Sequence, residues 1–187
     1  MTPPPERIPL STSAAPGLEL RRWTEDDAER VFLAVTESFE HLHPWAAWAA
    51  EPPTFEDERR FVRQAIREWD EGTSYTYGIF DPAGTVQGSA ALMVPAGPEL
   101  REIGYWTHAA YLRRGLATLS AGALTRAAFD SPGVNLVQIR CDEANVASAT
   151  VPRKLGYRLD RYEPREIGAP AESGRTMCWT LTREAFR

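Results

Sequence analysis

Glu102-Ile103-Gly104-Tyr105-Trp106-Thr107-His108-Ala109-Ala110-Tyr111-Leu112-Arg113-Arg114-Gly115-Leu116-Ala117-Thr118 is the stretch that decides how this chain is read. A strand-like segment ends in the aromatic pair Tyr105-Trp106. A short loop with Arg113, Arg114 and Gly115 follows, and Leu116-Ala117-Thr118 opens a long pattern rich in alanine and leucine. This is a strand, a glycine-bearing turn and a helix N-terminus. Such a turn offers backbone N–H groups and the positive end of a helix dipole to an anion. Glycine has no Cβ, so the backbone at 115 can approach a phosphate closely. The two arginines add fixed positive charge. The expected ligand is a phosphorylated cofactor. The spacing is neither that of a P-loop nor the G-x-G-x-x-G dinucleotide fingerprint, so a different phosphate-binding arrangement is required.

Leu136 to Tyr157 supplies it: L-V-Q-I-R-C-D-E-A-N-V-A-S-A-T-V-P-R-K-L-G-Y. Leu136 to Cys141 reads as a half-buried strand. Asn145 is an N-cap residue type, Ser148 follows three residues later on the same side of the first helical turn, and Gly156 is a preferred helix stop. With both segments in view, the chain resembles the GNAT superfamily of N-acetyltransferases over roughly Leu18 to Thr182. It most resembles the RimJ/RimL-like branch, the ribosomal-protein N-terminal acetyltransferases.

The resemblance implies an α/β fold: a mixed, mostly antiparallel sheet with helices on both faces. It implies acetyl-CoA as co-substrate and direct transfer of the acetyl group to a primary amine. In the family, the loop R/Q-x-x-G-x-G/A binds the cofactor pyrophosphate through backbone amides. Gly115 and Ala117 match its last two signature positions, while Leu112 stands where the family has Arg or Gln. Arg113 and Arg114 keep the charge, and Leu116 and Thr118 complete the cradle. The strand before the loop splays from its neighbour in the family and pairs with the pantetheine arm. That role maps to Tyr105, Trp106 and Thr107, with Asn145 beside them. Many relatives carry a tyrosine seven residues after the motif asparagine, where it protonates the leaving thiolate. Here that position is Pro152, which has no hydroxyl. Ser148 is the nearest alternative and is assigned as general acid or thiolate hydrogen-bond donor. Pro152 is expected to narrow or kink its helix, because it lacks an N–H and crowds the turn before it.

An amine must be neutral to attack a thioester, so a base is needed. Glu102 lies on the cofactor strand, on the same side as Gly104 and Trp106 by alternation. Glu166 opens the last loop, and Glu163 is a third candidate. Glu102 is favoured slightly over Glu166. His41-Leu42-His43-Pro44-Trp45-Ala46-Ala47-Trp48 resembles the family segment that contributes to the acceptor pocket, with Trp45 and Trp48 as an apolar wall. Core packing explains large aromatics equally well. His41, His43 and His108 are expected at the surface, not in catalysis.

The 187 residues, 43% of them hydrophobic, suit one domain at 17–187, preceded by a Pro-rich arm at 1–16. A net charge of −5 argues against nucleic-acid partners and anionic membranes and fits a cationic amine. Lys154 is the one lysine among 21 basic residues, which reads as compositional bias. Cys141 and Cys178 are expected buried and free. No metal-ligand set is expected. With neither a secretory leader pattern nor a long apolar run, the cytoplasm is the expected location. The acceptor stays open between the N-terminal α-amine of a protein or peptide, which is favoured, and a small amine such as an amino acid, polyamine or aminoglycoside. A non-catalytic acyl-CoA-binding module is the alternative from a different class. A homodimer is left open.

Overall fold

The computed structural model describes residues 3–10, 16–95 and 97–186. In chain order these form β1 (Arg7–Pro9), β2 (Glu19–Arg22), α1 (Ala28–Leu42), α2 (Phe55–Glu71), β3 (Ser74–Phe80), β4 (Val86–Met93), β5 (Leu100–Thr107), α3 (Leu116–Asp130), β6 (Leu136–Asp142), α4 (Val146–Lys154), β7 (Arg158–Pro164) and β8 (Arg175–Thr182). Among the described residues the strands make one eight-stranded sheet, ordered β1-β2-β3-β4-β5-β6-β8-β7. Every neighbouring pair is antiparallel except β5 and β6, which run parallel. The expected fold class is therefore observed. The arm expected at 1–16 contains a short edge strand, β1, paired with β2; residues 1–2 and 11–15 of that arm lie outside the described residues.

The helices begin where their capping residues sit. Asp27 accepts from the Thr24 N–H at 2.9 Å and the Thr24 hydroxyl at 2.7 Å, closing the box that leads through a 3-10 turn into α1. Arg21 grips the same carboxylate with two hydrogen bonds of 2.8 and 3.0 Å, and Asp27 is fully buried. Thr54 and Asp57 form the equivalent box at α2, and Gly72 ends that helix in the left-handed conformation.

Two apolar clusters place the layers. Leu116, Ala121, Leu124 and Ala128 of α3 and Ala149 and Val151 of α4 pack with Ile103, Val137 and Ile139 of the sheet. Val31, Ala34 and Val35 of α1 and Val62 and Ala65 of α2 form the second cluster with Phe80 and Val86, and Trp106 packs against it. Alternation along β5 thus sends Ile103 and Tyr105 toward α3 and α4, and Glu102, Gly104 and Trp106 toward α1.

Candidate active site

Pairing between β5 and β6 starts at Leu100↔Leu136 and stops at Ile103↔Ile139. Beyond that point β5 stays paired with β4 through Thr107, and β6 stays paired with β8 through Asp142. The two central strands therefore part, and a wedge opens between Gly104–Thr107 on one side and Arg140–Asp142 on the other. The inner edges of the wedge carry backbone groups that the neighbouring strand no longer satisfies. An extended ligand with amide groups can pair with them as an added strand would. Tyr105, Trp106 and Thr107 lie on this open arm.

The wedge leads to the loop before α3. Arg113 has a φ of 61° and Gly115 a φ of 80°, so two left-handed residues turn the chain into the helix. Gly115 is the N-cap, and no side chain caps the first-turn amides of Leu116, Ala117 and Thr118. A Cβ placed on Gly115 would meet nothing within 4 Å, so no neighbouring atom crowds the chain at this turn. Arg113 and Arg114 are exposed beside it, with Arg114 stacked over Tyr111 at 5.1 Å. Left-handed turn, orphan amides, helix dipole and arginines together suit a pyrophosphate.

On the α3/α4 face, Ser148 sits in the first turn of α4. The Asn145 side chain accepts from the Ser148 N–H at 3.0 Å, so that side chain acts as the helix cap. α4 continues through Pro152 to Lys154. Tyr105 reaches across the wedge and donates its hydroxyl to the Ser148 carbonyl at 3.0 Å, with its oxygen 3.4 Å from Ser148 Oγ. Burial pushes the Tyr105 hydroxyl above its usual range, against the opposing effect of Ser148, so it stays protonated. Cys141 is buried on the same face. Burial pushes its thiol up to about 11, although hydrogen bonding to Ser148 and Trp179 works the other way. Sequence reasoning did not find the contact between Tyr105 and Ser148. Alternation puts Tyr105 on the correct face, but nothing local pairs it with a residue 43 positions away.

On the α1 side lies Glu102. Gln138 Nε2 donates to it at 3.4 Å, and burial raises its carboxyl above the usual range, with Arg140 and Arg165 opposing. Trp106 follows four positions later on the same face and meets Trp48 at 6.2 Å between ring centroids. Trp45 is half-buried and Trp48 is 57% exposed, so Trp48 forms a rim and is not core filling. Glu166 is exposed on the β7–β8 loop and makes no hydrogen bond or ion pair among the described residues. Glu163 is bound by Arg140 and Arg161, each at 2.7 Å, and its carboxyl is held below the usual range, chiefly by Arg161. The three carboxylates thus differ: one half-buried and readily protonated, one free in solvent, one locked in ion pairs.

The β7–β8 loop folds back over this face. The Ala171 N–H donates to the Pro44 carbonyl at 2.9 Å, and Gly168 lies so close to Ala47 that a Cβ there would stand 2.9 Å from the alanine Cβ. Glu172 accepts from the Gly168 and Ala169 amides, and Asp142 accepts from both the Ser173 amide and hydroxyl. The α1–α2 connection and the β7–β8 loop therefore meet as a bridge.

His108 departs from expectation. It is buried at 5% exposure, not solvated: Nδ1 accepts from the Ala110 N–H at 3.0 Å and Nε2 lies 3.1 Å from Glu37. It latches the end of β5 to α1, because the chain turns there beneath Ser38 and Glu37. Cys141 and Cys178 are free and buried, as expected. Among the described residues no group of three or more His, Cys, Asp or Glu side chains could hold a metal, and no helix is long and apolar enough to cross a membrane. Two surface hollows of about 370 and 300 Å³ lie at the β1–β2 edge and at the end of α2, away from the wedge. Arg21 and Arg22 in the first are already paired with Asp27, Glu6 and Asp70.

A family model described as an acetyltransferase (GNAT) domain matches residues 17–158. No curated protein matches the chain in sequence. Among solved structures, the chain is similar to RimL, a ribosomal L7/L12 alpha-N-protein acetyltransferase in complex with coenzyme A. The TM-score is 0.85 at 22% identity, covering 96% of this chain and 99% of that one. It is similar to an acetyltransferase from Salmonella typhimurium that modifies the N-terminal serine of ribosomal protein L7/L12, at TM-score 0.81 and 21% identity over 95% and 99% of the two chains. It is also similar to Mycobacterium smegmatis RimJ in complex with a CoA disulfide, at TM-score 0.77 and 19% identity over 89% and 82%.

Proposed function

The chain belongs to the GNAT acetyltransferase family, and on that premise we propose that it moves an acetyl group from acetyl-CoA to the N-terminal α-amine of a protein or peptide. Membership makes it an acetyl-CoA-dependent N-acetyltransferase. The observation that carries the fuller reading is the parting of β5 and β6 after Ile103 and Ile139, with Ser148 on one face of the opening and Glu102 on the other.

The residues present fit the donor. The unpaired edges of the wedge suit the amides of an extended pantetheine arm, and the uncapped amides of 116–118 suit its pyrophosphate. Acetyl-CoA supplies an activated thioester. Glu102 takes the proton of the incoming ammonium; burial makes it a stronger base than a solvated glutamate. As the amine nitrogen bonds to the acetyl carbon, the carbon–sulfur bond breaks; the Ser148 hydroxyl donates to the departing sulfur, which leaves as the thiol once it has gained the nitrogen's second proton. Trp106 and Trp48 shield the neutral amine from water.

An α-amine titrates near 7.7–8.0 and a lysine amine near 10.4, so the α-amine gives up its proton at lower cost. The bridge from Pro44 to Ala171 favours an acceptor that enters end-on, as a chain terminus does. The neighbours that act on ribosomal-protein N-termini support the same reading. Both substrates put the reaction in the cytoplasm. The test is an acceptor panel with thiol-release detection. Peptides with free N-termini should be acetylated, and Nα-blocked peptides with an internal lysine should not. Turnover of only polyamines, aminoglycosides or lysine side chains would overturn the N-terminal reading.

A further inference from the structure

Ser148 and Pro152 stand one helical turn apart in α4, four residues in sequence. In a regular helix the N–H at 152 would donate to the carbonyl at 148. Proline has no N–H, and its ring crowds that carbonyl. The Ser148 carbonyl therefore lacks the donor that a regular α-helix would give it. It is also the carbonyl that Tyr105, from β5, meets with its hydroxyl at 3.0 Å.

We propose that Tyr105 is the positioning residue for Ser148, supplying the hydrogen bond that Pro152 withholds. The proposal rests on Ser148 serving the leaving sulfur, as argued above. The Tyr105 hydroxyl has one proton, and the carbonyl takes it. Its oxygen lone pairs then face Ser148 Oγ at 3.4 Å, within reach of an adjusting serine hydroxyl. Tyr105 stands on the open arm of the wedge, beyond the last β5–β6 pair at Ile103, so the contact spans the gap where the two strands no longer hold each other. It ties the first turn of α4 to β5 and fixes the height of Ser148 over the opening. A carbonyl that tilts outward at a proline, without this donor, would carry Ser148 with it.

The experiment uses Tyr105→Phe, Pro152→Ala and Ser148→Ala, singly and in pairs, on the full chain. Losing one neutral hydrogen bond corresponds to about fivefold to tenfold in rate. Tyr105→Phe should lower kcat by that factor, leave the KM for acetyl-CoA unchanged, and speed amide exchange at Ser148 and Ala149. Pro152→Ala restores an N–H to position 152, so Tyr105→Phe should cost little kcat in that background. In the Ser148→Ala background Tyr105→Phe should cost nothing further. An equal loss with and without Pro152→Ala overturns the proposal, as does an additive loss on top of Ser148→Ala. A raised KM with a lowered melting temperature in Tyr105→Phe would assign Tyr105 to general packing instead. If Ser148→Ala alone keeps full turnover, the assignment of Ser148 fails, while unchanged amide exchange in Tyr105→Phe would separately overturn the brace itself.

Discussion

Glu58→Gln should stabilise this protein at neutral pH and not at acidic pH. Glu58 lies on the buried stripe of α2 with Val62, Ala65 and Trp69. Its residue is 8% exposed, and its carboxyl makes no hydrogen bond or ion pair among the described residues. Burial, with a smaller push from Asp57, raises the carboxyl from an ordinary 4.5 to about 7. The folded chain then holds a proton that the unfolded chain has already released. The stability contributed by this group is fully present below the unfolded value and is lost as pH rises through the folded one. A rise from 4.5 to about 7 removes about 3 kcal/mol of stability between acidic and mildly alkaline pH. Glutamine keeps the shape and cannot ionise. The gap in unfolding free energy between Glu58→Gln and wild type should therefore widen by about 3 kcal/mol from pH 4 to pH 8. Denaturant titrations at five or six pH values would measure it, with the slope on denaturant held equal for both proteins. A gap that does not change with pH would refute the reasoning, because it would mean that Glu58 ionises in the folded chain as easily as in the unfolded one.

Gly115→Val should weaken CoA binding at least tenfold by calorimetry while the circular dichroism stays native. The left-handed backbone at 115 strains any side chain by about 1–2 kcal/mol, and a branched side chain adds bulk at the turn that leads into the first-turn amides. Ser148→Ala should lower turnover by about tenfold to a thousandfold with CoA affinity retained, read from initial rates and direct binding. Glu102→Gln should flatten the rise of rate with pH between acidic and neutral conditions. A carboxyl raised by burial loses its basic form as pH falls through that raised value, so wild type should slow first on acidification. An unchanged profile in thiol-release assays would remove Glu102 as the base.

Much of the fold was legible locally. Thr24 with Asp27 and Thr54 with Asp57 are helix starts of the kind a sequence carries, because a capping box is satisfied within four residues. Asn145, Gly115 and Gly156 marked turns and caps whose hydrogen bonds or backbone angles are likewise short-range. The strand–loop–helix from Glu102 to Thr118 was visible for the same reason. β1 was not visible, because three residues among prolines carry no period, and its pairing with β2 is a contact between segments.

The sequence by itself determined the strand–loop–helix from Glu102 to Thr118, the capped start of the helix after Asn145, the alternation of side chains along a strand and the family pattern of the cofactor loop. All of these depend on periodicity and on bonds between near neighbours. The tertiary structure alone decided where β5 and β6 part, since parallel partners are joined through α3 and their register is a long-range outcome. It also set the three candidate carboxylates apart. Glu102, Glu163 and Glu166 are alike in sequence, and only burial, two arginines and open solvent make them different. It buried His108 and, among the described residues, left the Glu58 carboxyl without a hydrogen bond or ion pair, because desolvation depends on what packs against a group from elsewhere in the chain. And it brought Tyr105 to the carbonyl of Ser148, where the missing N–H of a proline, plain in the sequence, acquires its consequence from a residue on another strand.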